Sequence, residues 1–368
     1  MSQYILILAW IGLLAILSNT INIYQIEYVQ GRKAVRVTKW FAIISVIPLI
    51  WWAATRPEGF IDTGTYVGLY QRMPSSIREI NTYLEEVIAK DPGFSALSII
   101  IKMFVGDNAT LYLGVIAGIQ ALIVALVLRK YSCNFPLALF IFIASTDYLS
   151  WMQNGIRQFM SVVIIFAATG LMLNKKYWQM IIVVLLASRF HGSTLLMLPI
   201  IFVVQGKAWN KKTLLSIVAV VLAIVFVDRF TNVLDTLLSD TQYTNVVSDW
   251  QSGGDDGTSL LRVLVYALPT ILSLIGLRYI REEDDPVINL ACNMGIMSTM
   301  LYCLSAVTSG IFIGRLPIFC SLYATCILLP WEVEHMFTEE SVKLMKVGLV
   351  GGFLLFYLVQ IHFVWGLI

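Results

Sequence analysis

Long apolar runs alternate with short polar segments along the whole chain, and this pattern predicts the elements. Ten runs approach the roughly 20 mainly apolar residues that an α-helix needs to cross a bilayer. We therefore predict an all-α, polytopic integral membrane protein of about ten transmembrane helices, with residues 1–368 forming a single transmembrane domain. The predicted spans lie near residues 4–24, 39–55, 109–128, 135–151, 155–173, 213–229, 259–279, 287–308, 311–330 and 345–367.

One further apolar stretch, 178–204, is interrupted by the polar sequence SRFHGS. Lysines flank both of its ends, in NKKYW before it and in QGKAWNKK after it. Basic residues favour the cytoplasmic side, so a single crossing would leave three lysines outside. Two short helices that turn at SRFHGS keep both ends inside. We therefore predict a broken hairpin whose tip, Arg189 to Ser193, lies near a cavity open to the outside.

The same charge bias orients the remaining spans. The basic segments VQGRKAVRVTK, LRKYS and NKKYW all fall on one side, which we predict to be cytoplasmic. The N-terminus and segments 56–107 and 230–258 are then outside. Within 56–107, PSSIREINTYLEEVIAK is typical of a surface helix opened by Ser75 or Ser76. DPGFSALSIIIKMFVG is apolar but too short to span, so we expect it at the outer interface.

Composition supports a membrane protein and excludes several other classes. Of the 368 residues, 58% are hydrophobic and only 13% are charged, whereas soluble domains are about a quarter charged. The net charge of +2 indicates no nucleic-acid partner. The five cysteines lie singly in or beside apolar runs, which predicts neither disulfides nor a metal site. The chain has no Walker motif and no GxGxxG, which argues against a nucleotide substrate.

Four arginines collect at the predicted outer ends of helices, against the positive-inside bias: Arg56, Arg157, Arg189 and Arg315. An arginine inside a membrane costs about 2.5–3.5 kcal/mol on insertion scales, so such residues usually face the bundle interior and bind something. Taken singly, each arginine is explained about as well by snorkelling to the outer headgroups. Taken together, and with polar neighbours close in sequence, they predict a polar cavity on the outer side.

The second arginine of this set has the clearest polar surroundings. Asn154, Arg157 and Gln158 stand at i, i+3 and i+4, so they are predicted to share one helix face. Guanidinium forks match phosphate oxygens and stay charged when desolvated, which favours a phosphate or diphosphate carried on a lipid. The structural alternative is an ion pair between Arg157 and Asp147, at the outer end of the preceding span.

Three further polar residues belong with this predicted cavity. His191 is the one histidine that the prediction places in the membrane core region, at the tip of the broken hairpin, whereas His362 lies near the C-terminal end of the last predicted span. A buried histidine is as readily explained by structural hydrogen bonds as by catalysis. Asp62 and Tyr66 follow Arg56 on the outer side. No set of histidine ligands suits zinc, so we predict that the site holds no metal.

Three sequence blocks resemble the EpsG-like family of Wzy-type polysaccharide polymerases, and together they cover most of the chain. The first is ATRPEGFIDTGTYVGLY, similar to the family's arginine followed by Gly/Asp/Thr and then tyrosine. The second is NGIRQFMSVVIIFAA with ASRFHGSTLLMLP after it, which resembles the family's Asn–Arg–Gln helix start and downstream histidine. The third is GRLPIFCSLY, with the late arginine. One departure is Ile61, which stands where the family has a glycine before the aspartate.

The resemblance implies a function that needs no cofactor. Such proteins are GT-C-like, metal-independent glycosyltransferases of the bacterial cytoplasmic membrane. They join oligosaccharide repeat units carried on undecaprenyl diphosphate into a surface polysaccharide, with the active site facing the periplasm or exterior. The partners expected are these lipid-linked glycans, the bilayer and, as an open possibility, a chain-length regulator. The repeat-unit sugars and the linkage formed are not specified.

The implied mechanism assigns a role to each candidate residue. Positive groups stabilise the charge that gathers on a departing diphosphate. We assign this role first to Arg157 and Arg315, then to Arg56, with Arg189 the weakest candidate. Asp62 and His191 are alternative general bases for the acceptor hydroxyl. The residues expected to position sugar or phosphate oxygens are Asn154, Gln158 and Tyr66.

Three other functions would also place polar groups in a membrane cavity. A flippase or transporter of lipid-linked oligosaccharides should carry polar groups into the cytoplasmic half, whereas here they crowd the outer half. A membrane acyltransferase needs a catalytic histidine near its acyl donor, which fits His191 poorly. An O-antigen ligase shares the donor and differs only in the acceptor, so the sequence separates it least well from a polymerase.

Overall fold

The computed structural model describes residues 2–86, 91–238, 257–310 and 312–365, in which most residues are helical and the strands form one antiparallel β-hairpin. This confirms the prediction of an all-α, polytopic membrane protein. Contacts divide the chain into two compact units. The first comprises residues 1–195 and 344–368, and the second comprises residues 196–343. Each unit is described by itself, and the single transmembrane domain stays a prediction.

The first unit consists of helices that follow the apolar runs of the sequence, with Asn108 and Asn134 capping two of them through hydrogen bonds from Leu111 N (3.0 Å) and Leu137 N (3.1 Å). The described elements in chain order are α1 (Ser2–Thr20), β1 (Tyr24–Val29), β2 (Arg32–Val37), α2 (Lys39–Thr55), α3 (Thr63–Arg72), α4 (Ile80–Glu86), α5 (Pro92–Val105), α6 (Ala109–Tyr131), α7 (Phe135–Ala144), α8 (Asp147–Gln153), α9 (Ile156–Ala167), α10 (Thr169–Leu173) and α11 (Tyr177–Ser188).

The second unit contains the remaining helices, and a 3-10 turn at Gly192–Leu196 leads into it. Its described elements are α12 (Met197–Val203), α13 (Lys211–Val225), α14 (Val227–Leu238), α15 (Leu260–Ile275), α16 (Leu277–Glu283), α17 (Pro286–Ala306), a 3-10 turn (Ile313–Arg315), α18 (Ile318–Tyr323), a π-turn (Ala324–Leu328) and α19 (Leu329–His335). The last helix, α20 (Glu339–Val359), continues as a π-turn to Val364, and its residues from Leu344 onward belong to the first unit.

The basic segment after the first span is a β-hairpin, which the sequence analysis treated only as a loop. Gln30 and Gly31 have φ values of 51° and 77°, the pair of positive values that a tight hairpin turn requires. Tyr24 pairs with Val37 at the open end. Because strand β1 begins at Tyr24, the first helix ends at Thr20, earlier than the predicted span 4–24.

Every one of the ten predicted spans contains at least one helix, but fewer are long, straight and apolar. Five described helical segments are long and apolar enough to cross a membrane, and seven if each of two bent helix pairs counts as one span. The helices α7 and α8 meet at 71°, and α15 and α16 meet at 69°. Thr146, between α7 and α8, has a φ of 62°, which no helix continues through. The count of about ten spans stays a prediction.

The helix break at SRFHGS is confirmed, because α11 ends at Ser188 and helical structure resumes at Gly192. The re-entrant course of this segment stays a prediction. The apolar segment after Asp91 forms α5, a helix of 14 residues, and its place at the outer interface stays a prediction. Before it, Ser76 Oγ accepts a hydrogen bond from Arg78 N at 3.3 Å, which supports the predicted cap. The predicted loop 230–258 begins within α14, and its residues 239–256 lie outside the described chain.

Candidate functional site

Arg157 lies in the first turn of α9, where it forms an ion pair with a carboxylate that the sequence analysis did not consider. Its Nη1 lies 3.1 Å from Asp91 Oδ2. The Asp91 side chain is only 4% exposed, whereas the Arg157 side chain is 30% exposed. One end of the guanidinium is therefore fixed by a buried charge, and part of the side chain reaches the surface of the unit.

The structural alternative for Arg157 was an ion pair with Asp147. The carboxylate that pairs with Arg157 in the structure is Asp91 instead, and Asp147 begins α8, the helix before α9. Asp91 reaches Arg157 because its backbone turns sharply, with a φ of 59°, immediately before Pro92 starts α5. Aspartate tolerates this left-handed conformation better than most residues.

Tyr66 and Asn154 join Arg157, as the sequence analysis predicted, although through different contacts. The Arg157 guanidinium carbon lies 5.9 Å from the centre of the Tyr66 ring, a cation–π distance. The Tyr66 hydroxyl donates a hydrogen bond to the backbone carbonyl of Asn154 at 2.8 Å. Tyr66 projects from α3, so this pair ties α3 to the start of α9.

The predicted common helix face of Asn154, Arg157 and Gln158 is only partly correct. Helix α9 begins at Ile156, and Asn154 is the residue that ends α8. Gln158, on α9, is buried with only 3% exposure. Helical structure is interrupted at Asn154 and Gly155. This helix break leaves the Asn154 carbonyl available to accept the hydrogen bond from Tyr66.

Buried amides surround the break, and two of them were missed in the sequence. Gln120 of α6 donates from Nε2 to the carbonyl of Ile156 at 2.9 Å. Gln120 Oε1, both amide atoms of Gln153 and Asn154 Oδ1 are buried without a hydrogen-bond partner among the described residues. Their sequence signal was weak, since Gln120 is a single amide inside an apolar run. The helix break is therefore surrounded by buried amide atoms whose hydrogen bonds the described protein groups do not satisfy.

Arg56 is buried and directs its donors into the protein. Its Nε donates to Thr63 Oγ1 at 2.9 Å, its Nη2 donates to the carbonyl of Gln153 at 3.0 Å, and its Nη1 donates to the carbonyl of Ala53. Burial lowers the pKa of Arg56 to about 10, so the side chain is still cationic at neutral pH. These contacts join the end of α2, the start of α3 and the end of α8. They favour a positioning role for Arg56 over direct contact with phosphate.

Asp62 lies at the start of α3, one helical turn before Tyr66, and its side chain is exposed. Its carboxylate makes no hydrogen bond or ion pair with the described residues. The preceding residue, Ile61, has a φ of 43°, which is a left-handed conformation that glycine adopts without cost. The position where Ile61 replaces the family's glycine is thus a position where the backbone favours glycine.

The tip after α11 is tied to Asp91 through the start of α5. Gly93 N donates to the carbonyl of Arg189 at 2.8 Å. A Cβ on Gly93 would lie 2.9 Å from both Arg189 Cβ and that carbonyl oxygen, so only glycine allows this approach. The Arg189 side chain is exposed. His191 is half-buried, and its Nδ1 lies 2.7 Å from Ser193 Oγ.

Arg315 lies in the second unit, in the 3-10 turn before α18, where its side chain is exposed and its backbone N donates to the carbonyl of Phe312 at 3.3 Å. Its predicted meeting with Arg157 stays a prediction. Within the described ranges, no three histidine, cysteine, aspartate or glutamate side chains come together as ligands for a metal ion. Metal independence likewise stays a prediction.

Lys102 of α5 is another charged residue that the sequence analysis missed. Its Nζ donates to the carbonyls of Gln71 and Met73, at 2.8 Å each, and pairs with Asp107 at 2.8 Å. These contacts fix the end of α3 against α5. Since α3 carries Tyr66 and α5 follows Asp91, Lys102 holds together the two segments that contact Arg157.

Comparison with known proteins gives one match. The model of the EpsG family matches residues 39–365, a range that includes every residue of the candidate site. No curated protein and no solved structure matches the chain.

Proposed function

This chain belongs to the EpsG family of polysaccharide polymerases, and on that premise we propose how it acts. It joins oligosaccharide repeat units carried on undecaprenyl diphosphate, at the outer face of the bacterial cytoplasmic membrane. The growing chain leaves its lipid diphosphate and is transferred to the sugar end of a new lipid-linked unit. The enzyme is a glycosyltransferase that acts without a metal ion.

The observation that carries this proposal is the setting of Arg157. Asp91 holds one nitrogen of the guanidinium at 3.1 Å, and the Tyr66 ring lies 5.9 Å from its carbon. The remaining guanidinium donors make no hydrogen bond to the described residues, and 30% of the side chain is exposed. A guanidinium fixed on one side and open on the other suits bidentate binding of a phosphate.

The chemistry requires charge stabilisation at the donor and proton removal at the acceptor. An acceptor hydroxyl attacks the anomeric carbon of the donor sugar, the bond from that carbon to the diphosphate oxygen breaks, and the diphosphate keeps the electron pair. Arg157 stabilises the charge that grows on the departing diphosphate, with Arg315 as the second cation. Fixed cations in a water-poor site are worth far more than in water.

The hydroxyl proton goes to Asp62 or His191. The exposed Asp62 carboxylate is accessible to a substrate, and Ser193 at Nδ1 orients the His191 imidazole. General-base assistance of this kind typically contributes about 10²–10⁴-fold. Asn154 and Gln158 position sugar and phosphate oxygens around this reaction. The Tyr66 hydroxyl, whose proton goes to the Asn154 carbonyl, accepts a hydrogen bond from a sugar hydroxyl.

A reconstituted reaction tests the proposal. The purified full chain is reconstituted in sealed proteoliposomes that contain an undecaprenyl-diphosphate-linked repeat unit and a second glycolipid acceptor, with and without EDTA, and the products are separated by length. A ladder that persists in EDTA is expected. Transfer of one unit to a different glycolipid would indicate a ligase instead. No reaction, with the lipid-linked substrate moved across the bilayer, would indicate transport.

Two arginine variants test which side chains stabilise the departing diphosphate. Arg157→Ala and Arg315→Ala are expected to abolish the ladder while the protein stays in the membrane, because each removes a cation from the diphosphate. The matched control is Arg78→Ala, which removes an exposed arginine of the predicted external segment 56–107. A normal ladder from both Arg157→Ala and Arg315→Ala would overturn the diphosphate role.

Two further variants separate the candidate bases. Asp62→Asn and His191→Ala each remove one proton acceptor, and the variant that lacks the true base should lose at least about 100-fold in rate. Full activity in either variant removes that residue as the base.

A further inference from the structure

A groove of about 450 Å³ lies in the first unit between α1, α7 and α20, and the polymerase reaction does not use it. One face of α1, bearing Leu8, Gly12 and Ala15, lines it along its length. Pro136 and Phe140 of α7 form a second wall, and Val350 and Leu354 of α20 form the third. Most of the lining is therefore apolar.

Polar groups gather at one end of the groove. Ser18 and Asn19, at the end of α1, lie there with Tyr24 of β1, Asn134 before α7 and Lys346 of α20. Lys346 is the one charged residue in the lining. The other end is lined by Leu8, Phe140 and Leu354.

A contact outside the groove fixes this polarity. The Tyr357 hydroxyl of α20 donates to the carbonyl of Tyr4 at 3.1 Å. Because earlier residues of α20 line the groove with later residues of α1, the two helices run antiparallel. Lys346 lies about three turns, or roughly 16 Å, before Tyr357 along α20. The same distance along α1 from Tyr4 reaches Ala15 and continues to Ser18. The ammonium of Lys346 therefore belongs with the polar residues at the end of α1.

The groove has the length of one bilayer leaflet. From Leu8 to Asn19 the α1 helix rises roughly 16 Å. The hydrocarbon core of a bilayer is about 30 Å thick, so each leaflet contributes about half of that. A cation and hydrogen-bonding groups at one end of an apolar channel of this length match the headgroup and one acyl chain of a phospholipid.

The charge at the polar end selects an anionic headgroup. Tyr24, which lines that end, belongs to the hairpin whose second strand carries the exposed residues Arg32 and Lys33. The predicted topology places this hairpin and the segment before α20 on the cytoplasmic side, so these cations are expected on the same side of the membrane as Lys346. Basic groups beside a bilayer attract anionic lipids.

We propose that this groove binds one anionic phospholipid, with its phosphate at Lys346 and an acyl chain along Gly12 and Ala15, in the leaflet on the side of the β-hairpin. The lipid fills the space between three helices and fixes α20 against α1. Nothing in this inference depends on the reaction proposed above.

Native mass spectrometry tests the proposal. Delipidated protein in a neutral detergent is titrated with phosphatidylglycerol and, separately, with phosphatidylcholine of the same acyl chains. Phosphatidylglycerol is expected to bind about five-fold or more tightly, the factor that one lysine near an anionic lipid supplies. Lys346→Gln should remove this preference, whereas Lys343→Gln, one turn earlier and outside the lining, should keep it.

A second variant fills the groove. A Cβ on Gly12 meets nothing within 4 Å, so the side chain of Gly12→Leu can enter the groove and should weaken binding of both lipids at least ten-fold. A Cβ on Gly348 also meets nothing within 4 Å, but Gly348 lies outside the lining, so Gly348→Leu should bind as the unmodified protein does. Equal binding of the two lipids by the unmodified protein would overturn the proposal. Unchanged binding by Gly12→Leu, or stronger binding of a prenyl phosphate than of phosphatidylglycerol, would also overturn it.

Discussion

Ile61 holds a left-handed backbone conformation with a φ of 43° immediately before the candidate base Asp62. A residue with a Cβ pays about 1–2 kcal/mol for this conformation, and a β-branched side chain makes it worse. The Ile61 side chain is 64% exposed, so burial offsets little of that cost. The turn that presents Asp62 is therefore strained at one identifiable residue.

Ile61→Gly should relieve this strain. Glycine adopts the conformation freely but loses more entropy on folding, so the expected net gain is about 0.5–1 kcal/mol in free energy of unfolding. A thermal-shift measurement in detergent would record it as a higher apparent Tm. Ile61→Ala, which keeps the Cβ, should gain much less, and equal gains for both variants would show that the backbone at Ile61 is not strained.

The Arg157–Asp91 pair raises a different question, since a charge can stabilise the fold and also serve the reaction. Removing one partner of a buried pair leaves the other uncompensated. Since Arg157 is 30% exposed, solvent reduces this cost, and Asp91→Asn is expected to lose about 1–3 kcal/mol of stability. Asp91→Asn should also weaken the ladder, because Arg157 is no longer oriented.

A double-mutant cycle separates the two roles of Arg157. Asp91→Asn combined with Arg157→Gln should cost less stability than the two single changes added together, with a coupling of about 1–2 kcal/mol, yet produce no ladder. The control is the exposed pair of Arg278 and Glu282, 2.7 Å apart, which should couple by no more than about 0.5 kcal/mol. Additive losses at Asp91 and Arg157 would mean that the pair carries no structural energy.

Sequence reasoning found Arg157 and missed its partner for a physical reason. Spacing along a helix predicts which side chains share a face, and that rule grouped Asn154 with Arg157 and Gln158, although a helix break separates Asn154 from the other two. Asp91 is far from Arg157 in sequence and reaches it through a sharp turn before Pro92. No periodic pattern encodes such a contact. The departure at Ile61 was visible in the sequence, but its cost became clear only from the backbone angle.

Among the contacts between elements, the one that positions the site most directly joins the start of α5 to the tip after α11. The polar sequence SRFHGS correctly predicted a break between helices. The apolar segment after Asp91, expected to be too short to span, forms α5. Their contact depends on Gly93, whose missing Cβ leaves room for the Arg189 carbonyl. The bend between α7 and α8 was also missed, because it arises at Thr146 rather than at a glycine or proline.

Gly93→Ala tests this contact between elements. The added Cβ would lie 2.9 Å from the carbonyl oxygen and Cβ of Arg189, so α5 must move away from the tip, at a cost of about 1–3 kcal/mol. We expect a lower apparent Tm and a weaker ladder, since Asp91 moves with α5. Gly118→Ala, whose Cβ would meet only Ile50 Cγ2 at 3.9 Å, should leave both unchanged. Unchanged activity in Gly93→Ala would show that the site tolerates a shift of α5.

For the whole molecule, hydrophobic pattern predicted where helices lie better than it predicted how they cross the membrane. Each predicted span contains a helix, yet several are bent or shorter than a bilayer requires. The number of apolar residues in a run predicts whether a helix forms there. A bend depends on the backbone angles of a single residue, such as Thr146, which that number does not predict. The distribution of lysines and arginines supplies the independent information that orients such helices.

Reporter fusions test the predicted orientation at the segment where it matters most. The loop with Lys175 and Lys176 and the segment with Lys207, Lys211 and Lys212 are both basic, so both should be cytoplasmic. A reporter inserted after Lys175 and one inserted after Lys211 should each read as cytoplasmic, and one after Asp107 should read as external. This result requires the chain to return at the tip after α11, which places His191 on the outer side. A cytoplasmic reading after Lys175 with an external reading after Lys211 would mean that the segment crosses once, and the broken hairpin would then be wrong.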